Sequence, residues 1–205
     1  MLEKAPTSLR ERKKLDTRKA LSDAALELMF ERGLDNVVRE DIAARAGVSV
    51  RTFSNYFASK YDALAYRVTH RMRRSAELLL TRPADEPLWT AIAEALIEPL
   101  RDDGVPFGRP NEEQILEVRK LNATPEMQAA TARNTIDDLV EAIAERTGTD
   151  AKADIYPRLV AEVTIGAVNA VLNRYVQTDP SVSMSALLRE VFTEISKGLP
   201  PPART

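Results

Sequence analysis

An all-α chain of about nine helices is predicted, and three observations predict it. Apolar residues recur at spacings of three and four through most of the 205 residues, as one buried face per helix requires. Alternation of period two, the mark of a half-buried strand, is hard to find. Gly and Pro fall between the periodic segments rather than within them, where they punctuate helices instead of breaking them.

The first helix is expected from about Arg10 to Arg32, with Leu21, Ala25, Leu28 and Met29 as its apolar stripe and Gly33 ending it. A short second helix covers about Arg39 to Ala46, with Ile42, Ala43 and Ala46 inward. Gly47-Val48-Ser49 forms a tight turn, and a third helix covers about Val50 to Phe57. Ser59-Lys60-Tyr61-Asp62 has the form of a capping box and opens a long fourth helix to about Thr81. Arg82 to Pro87 reads as a linker. Beyond it, five segments are periodic: about 87–102, 111–122, 125–147, 151–177 and 183–198, with Asp85, Asn111, Thr124 and Asp150 as caps. Pro157 either kinks the fourth of these or marks its true start. Asp102 to Pro110, with two Gly and two Pro, reads as loop, and Leu199 to Thr205 as a frayed tail. The expected division is an N-terminal domain over 10–75 and a C-terminal helical domain over 85–200.

Composition narrows the function classes. Charged residues make up 29% and the hydrophobic set 44%, an ordinary globular balance. No uninterrupted apolar run approaches the roughly 18 residues that span a bilayer, so no membrane partner is expected. The opening MLEKAPTSLRERKK has no apolar stretch behind its charges and is not a secretory signal. Cys is absent, which removes disulfides, thiol nucleophiles and Cys-based metal sites and fits a reducing cytoplasm. The net charge of −2 conceals an asymmetry: residues 1–75 carry +6 and residues 76–205 carry −8. A basic head on an acidic body suggests that only the head meets a polyanion; chance clustering on solvated faces is the competing reading.

The informative stretch is Arg39 to Lys60, REDIAARAGVSVRTFSNYFASK. Two short helices joined through a Gly that tolerates left-handed geometry make a helix-turn-helix over about 38–57. At roughly 100° per residue, Phe53, Phe57, Val50 and Tyr56 gather on one side of the third helix. Arg51 and Asn55 fall opposite, flanked by Thr52 and Ser54. An aromatic anchor backed by an Arg/Asn/Ser/Thr face suits the major groove, where Arg reads guanine O6 and N7 and Asn reads adenine N6 and N7. A polar solvated face is the alternative. Arg10, Arg12, Lys13 and Lys14 precede the first helix's stripe; they form either an arm onto phosphate or minor groove, or a solubilising helix end.

At these residues the chain resembles the TetR family of transcriptional regulators. The resemblance covers about residues 10–75. It includes Thr17-Arg18, Ala24-Ala25, Leu28, Glu31-Arg32-Gly33, Asp41-Ile42-Ala43, Ala46-Gly47-Val48-Ser49, Thr52-Phe53, Asn55-Tyr56-Phe57 and Ser59-Lys60. It implies a ligand-responsive, homodimeric, all-helical repressor. Its DNA-binding heads would sit on a palindromic double-stranded operator, and its C-terminal ligand-binding and dimerisation domain would respond to a small effector. It also implies phosphate contacts from Thr52, Tyr56 and Lys60 and base reading by Arg51 and Asn55. Two departures stand out. The usual capping Thr of the second helix and the apolar residue after it are replaced by Val38 and Arg39, so Arg39 is expected to supply a charged contact instead. The frequent Lys-Gly is replaced by Val50-Arg51. The expected DNA-binding set is Lys13, Lys14, Thr17, Arg18, Arg39, Val50, Arg51, Thr52, Ser54, Asn55, Tyr56 and Lys60.

In the body, Leu187, Leu188, Val191, Phe192 and Ile195 form a broad stripe on the last helix. Val163, Ala167 and Ala170 lie on the one before, with small residues that allow close approach. Two such helices from each of two chains would make a four-helix dimer interface; closing the monomer's own core is the alternative. For a small, largely apolar effector the candidate contacts are Trp89, Ile92, Leu96, Phe107, Arg119, Asn169 and Asn173, each with core packing as its competing role. His70, the only His, sits beside Arg71 without a nucleophile-elbow motif. The Gly104–Gly108 stretch lacks the Gly-Lys-Ser/Thr of a phosphate loop, and no His/Cys cluster suits a metal. No enzyme, cofactor or metal site is expected. A DNA-binding protein without an effector and a helical interaction domain are the rival readings.

Overall fold

The computed structural model describes residues 8–102, 111–132, 136–177 and 182–201. Among them the regular structure is entirely helical: ten α-helices and one 3₁₀ turn. Ser8 opens α1 (Leu9–Arg32) with a capping box, its Oγ accepting from the Glu11 N–H while the Glu11 carboxylate accepts from the Ser8 N–H. Gly33, at φ +79°, ends it and leads into a 3₁₀ turn, η1 (Leu34–Asn36), which the periodicity did not predict. Then follow α2 (Arg39–Arg45), α3 (Val50–Tyr56) and α4 (Lys60–Thr81). The Ser59 hydroxyl accepts the Asp62 N–H at 3.2 Å, the half of the capping pattern that fixes the first turn, and itself donates to the Asp62 carboxylate at 2.7 Å.

The body comprises α5 (Leu88–Asp102), α6 (Glu112–Ala123), α7 (Pro125–Ala132), α8 (Ile136–Thr147), α9 (Ile155–Gln177) and α10 (Met184–Ser196). The predicted segment 125–147 is helical in its described parts, α7 and α8, which flank residues 133–135 outside the described set. Pro157 lies in the first turn of α9, so it marks a start and not a kink. Pro99 lies inside α5, contrary to the expectation that Pro would fall only between helices. It sits near the C-terminal end, where the lost N–H costs one intrahelical bond.

The chain divides into two compact units, 1–70 with 110–135 and 71–109 with 136–205. The boundaries differ from a simple N-terminal and C-terminal division, because α6 and α7 belong with the first unit. The reason is apolar. Leu121, Met127 and Ala130 are buried in the same cluster as Leu21, Leu28 and Met29 of α1 and Ile42, Ala43, Phe53 and Phe57 of the helix-turn-helix. Within this unit the Ser22 hydroxyl, fully buried, donates 2.7 Å to the Ala63 carbonyl and pins α1 to α4.

The second unit packs α10 against α5 and α9, and α9 against α8. The predicted linker is held in place: the Arg146 guanidinium donates to the carbonyls of Leu79, Arg82, Pro83 and Glu86 at 3.3, 3.1, 2.6 and 3.1 Å. Arg73 of α4 pairs with Asp138 of α8 at 3.0 Å. One helix bears on the expectation of no membrane span. The Ile155–Tyr175 stretch of α9 is long and apolar enough, by length and composition, to cross a bilayer. Its mean hydropathy tolerates scattered polar residues that interrupt any continuous apolar run. Here its Val160, Ala161, Thr164 and Val171 are buried in the unit's own core.

Candidate nucleic-acid interface

The corner of the motif is built by backbone geometry. Gly47 has φ +68°, and a Cβ there would meet nothing within 4 Å, so conformation and not space selects Gly. The Gly47 and Val48 N–H groups return to the Ala44 and Ala43 carbonyls at 3.1 and 2.9 Å, satisfying the end of α2. Ser49 then caps α3, its Oγ accepting from the Thr52 N–H at 3.0 Å and lying 2.9 Å from the Thr52 hydroxyl. At the other end, α2 begins at Val38 without a side-chain cap, as the departure from the family pattern implied.

The faces of α3 are the predicted ones. Phe53 is fully buried and Phe57 nearly so, their ring centroids 6.0 Å apart, and Phe57 meets Tyr66 edge-on at 5.8 Å. Arg51, Ser54 and Asn55 are exposed, and Thr52, Tyr56 and Val50 half-buried beside them. The Arg18 guanidinium stands 5.9 Å from the Tyr56 ring centre, which joins α1 to this surface. Lys13 and Lys14 are exposed on the opening turns of α1. Since α1 is already helical from Leu9, they do not form an extended arm.

Three predicted contacts are engaged inside the protein. The Lys60 ammonium donates to the Leu34 and Val37 carbonyls at 2.8 and 3.0 Å, so two of its three donors hold the η1 turn. The Thr17 hydroxyl donates back to the Lys13 carbonyl at 2.8 Å. Arg39 pairs with its neighbour Glu40 at 2.9 Å on the open surface and keeps that carboxyl below its ordinary value. Other head cations are neutralised too. Arg45 bridges Glu31 and Glu27 at 2.7 and 3.2 Å, Arg32 meets Asp41 at 3.0 Å, and Arg67 pairs with Asp23. The head's surplus positive charge is therefore concentrated on fewer side chains than its composition suggests. Arg51 makes no hydrogen bond or ion pair with the described residues. It stands exposed on α3 as a donor fork with no acceptor among the described residues.

The body residues sort differently from the prediction. Leu187, Leu188, Phe192 and Ala167 are buried among the residues of α5, α8 and α9. They close the unit's own core, because the α10 stripe faces inward. Val191 and Ile195 are half-buried against the same core. The outward stripe is on α9. Ile155 is 78% exposed and Leu159 55%, and the stripe continues through half-buried Val163 to exposed Gly166 and Ala170. Asn169 and Asn173 are also exposed on α9 and do not point into the core. Ile92 and Leu96 are core residues, and half-buried Trp89 stacks on Phe192 at 6.1 Å. Arg119 is exposed and belongs to the first unit. Phe107 lies outside the described residues. Within the second unit, Ile92 and Leu96 face the core while Asn169 and Asn173 face outward, so these four do not converge on one site.

Sequence reasoning missed Ser49 as a cap, Arg146, and Glu117 and Lys120 of α6. Ser49 carried a readable signal, a hydroxyl residue just before a helix. The others bond to residues far away in sequence and carried none.

A model of bacterial regulatory proteins of the tetR family matches residues 21–65, and a model of the MftR C-terminal domain matches residues 86–200. TcmR of Streptomyces glaucescens, an HTH-type transcriptional regulator, is 31% identical over 179 residues, covering 83% of this chain and 78% of its own. MftR of Mycobacterium tuberculosis, named as a mycofactocin biosynthesis transcriptional regulator, is 26% identical over 195 residues, covering 92% and 93%. Among solved structures, the TetR-family repressor FadR of Thermus thermophilus, in complex with lauroyl-CoA, aligns with TM-score 0.57 at 19% identity. That alignment covers 91% of this chain and 97% of FadR. NalD, the secondary repressor of the MexAB-OprM multidrug efflux pump in Pseudomonas aeruginosa, aligns with TM-score 0.55 at 17% identity, over 91% and 97%.

Proposed function

The chain belongs to the TetR family of bacterial transcriptional regulators, which are not enzymes, and on that premise we propose that it is a homodimeric repressor. It binds a palindromic operator in the cytoplasm and is released by a small, largely apolar effector. The observation that carries the DNA half is the face of α3, where Arg51, Ser54 and Asn55 stand exposed over the buried anchors Phe53 and Phe57. Arg51 and Asn55 read base edges, while Thr52, Tyr56, Arg18, Lys13 and Lys14 meet backbone phosphates.

Support for the dimer comes from the outward stripe of α9. Leu159, Val163, Gly166 and Ala170 recur at helical spacing on its exposed side, and the small pair permits close approach of a second copy. Two heads reading two half-sites then require an operator with matching two-fold symmetry. The effector half rests on family membership and on relatives such as FadR, whose structure holds lauroyl-CoA.

The test is selection of bound fragments from genomic DNA, followed by binding at several salt concentrations. A palindromic site bound with a steep salt dependence is expected. Uniform binding of all fragments argues for a regulator without sequence preference, and no binding for an interaction domain. Adding lauroyl-CoA and other apolar probes to the bound complex tests release. Trp89, the only Trp, serves as the fluorescence reporter of binding in the body.

A further inference from the structure

The short η1 turn is anchored from two sides. From α6, the Glu117 carboxylate accepts the Leu34 N–H at 2.5 Å, and the Lys120 ammonium meets the Asp35 carboxylate at 2.5 Å. From the start of α4, the Lys60 ammonium holds the Leu34 and Val37 carbonyls. Gly33 passes so close to α6 that a Cβ on it would lie 3.5 Å from the Glu117 carboxyl. The turn ends at Asn36, two residues before Val38, and Val38 gives α2 no side-chain cap. Where α2 begins is therefore set by the turn, and α2 carries α3 through the Gly47 corner.

The clamp rests on buried packing. Leu121 of α6 and Met127 of α7 are 5% and 4% exposed within the cluster that also buries Phe53 and Ile42. The Asp35 carboxyl is held below its ordinary value, chiefly by its hydrogen bond with Lys120.

We propose that Glu117 and Lys120 are positioning residues for DNA recognition: by gripping Leu34 and Asp35 they set the turn from which the helix-turn-helix is hung. Neither touches the nucleic acid. The proposal rests on the DNA-binding reading of α3 and adds a residue-level determinant outside the motif, some 60 residues beyond it in sequence.

The experiment uses the full chain with Glu117→Ala, Glu117→Gln and a control, Glu113→Ala, on the same helix and exposed. Two readouts are taken: affinity for the selected operator and for random DNA, and amide exchange over residues 33–38. Removing a negative charge from a DNA-binding unit by itself tightens binding, so the clamp predicts the opposite sign. Glu117→Ala is expected to weaken operator binding by about tenfold and to speed exchange at Leu34 at least as much, since a charge-assisted hydrogen bond is lost. Glu117→Gln, which keeps an acceptor oxygen, is expected to recover part of both, and Glu113→Ala to leave exchange at Leu34 unchanged and operator binding no weaker than wild type. A melting temperature close to wild type in Glu117→Gln, with operator binding still weakened, separates positioning from general stability. Unchanged operator affinity in Glu117→Ala, unchanged exchange, or an equal effect from Glu113→Ala overturns the proposal alone. Failure of the wild-type chain to bind any DNA overturns it together with the reading beneath it.

Discussion

The guanidinium of Arg18 lies over the ring of Tyr56, 5.9 Å from its centre, so α1 steadies the half-buried aromatic at the edge of the reading face. Such a contact is worth about 0.5–1 kcal/mol at a partly exposed site. Replacing Arg18 with Ala is expected to weaken binding to all DNA sequences and to lower the salt slope by about one. Tyr56→Phe keeps the ring and removes only the hydroxyl. A fall in affinity there isolates a phosphate contact, and unchanged affinity refutes one.

Arg51 and Lys60 are expected to differ in kind. Arg51→Ala should cost about 1–3 kcal/mol on the operator and relax preference at one base pair, with little effect on random DNA. An equal loss on both kinds of DNA would contradict base reading. Lys60→Ala should instead lower stability by about 1–3 kcal/mol, because two backbone carbonyls lose a charged donor. Urea unfolding and the salt slope check this together: a stable variant with a flatter slope would return Lys60 to the phosphate role.

Arg146 gathers four carbonyls at the end of α4 and in the segment that follows. Arg146→Ala is expected to destabilise by about 2–3 kcal/mol, since those acceptors lose a charged partner. Arg146→Lys should recover only part, because an ammonium cannot reproduce the planar fork. Thermal unfolding of the three proteins decides the point, and equal melting temperatures would contradict it.

Acid should loosen the contact between α5 and α10. The Glu94 carboxyl is held below its ordinary value of 4.5, first by its hydrogen bond from Arg189 at 2.6 Å and further by the charges of Arg189, Arg101 and Arg82, with burial opposing. Its folded value is lower than its unfolded one. The stabilisation is therefore complete above the unfolded value and lost as pH falls through the folded one. The gap in urea midpoint between wild type and Arg189→Gln should be small, since Arg189 is half exposed, and should close on going from about pH 7 to about pH 3. A gap that stays constant over that range would contradict the pairing.

Much of the reading surface was legible because it depends on period and on neighbours. The placement of Phe53 and Phe57 opposite Arg51 and Asn55 follows from 100° per residue alone, and Gly47 follows from the need for a positive φ. The dimer and ligand sets were less legible. Leu187, Leu188 and Phe192 make the stripe that periodicity demands, yet a stripe announces a buried face without saying against what it is buried. Against α5 and α9 they close a core, while exposed Leu159, Gly166 and Ala170 form the outward face.

Chain sequence alone determined the local matters: the helical spans, the caps at Ser59 and Asn111, the corner at Gly47 and the polarity of α3. Each is decided by residues within a turn or two of one another. Only the tertiary structure decided that Lys60 faces carbonyls 23 and 26 residues away, that Arg146 binds a segment some 60 residues earlier, and that α6 and α7 complete the unit holding the DNA-reading motif. A charged side chain is satisfied by whatever acceptor the fold brings within about 3 Å, and nothing along the chain encodes which distant carbonyl that is.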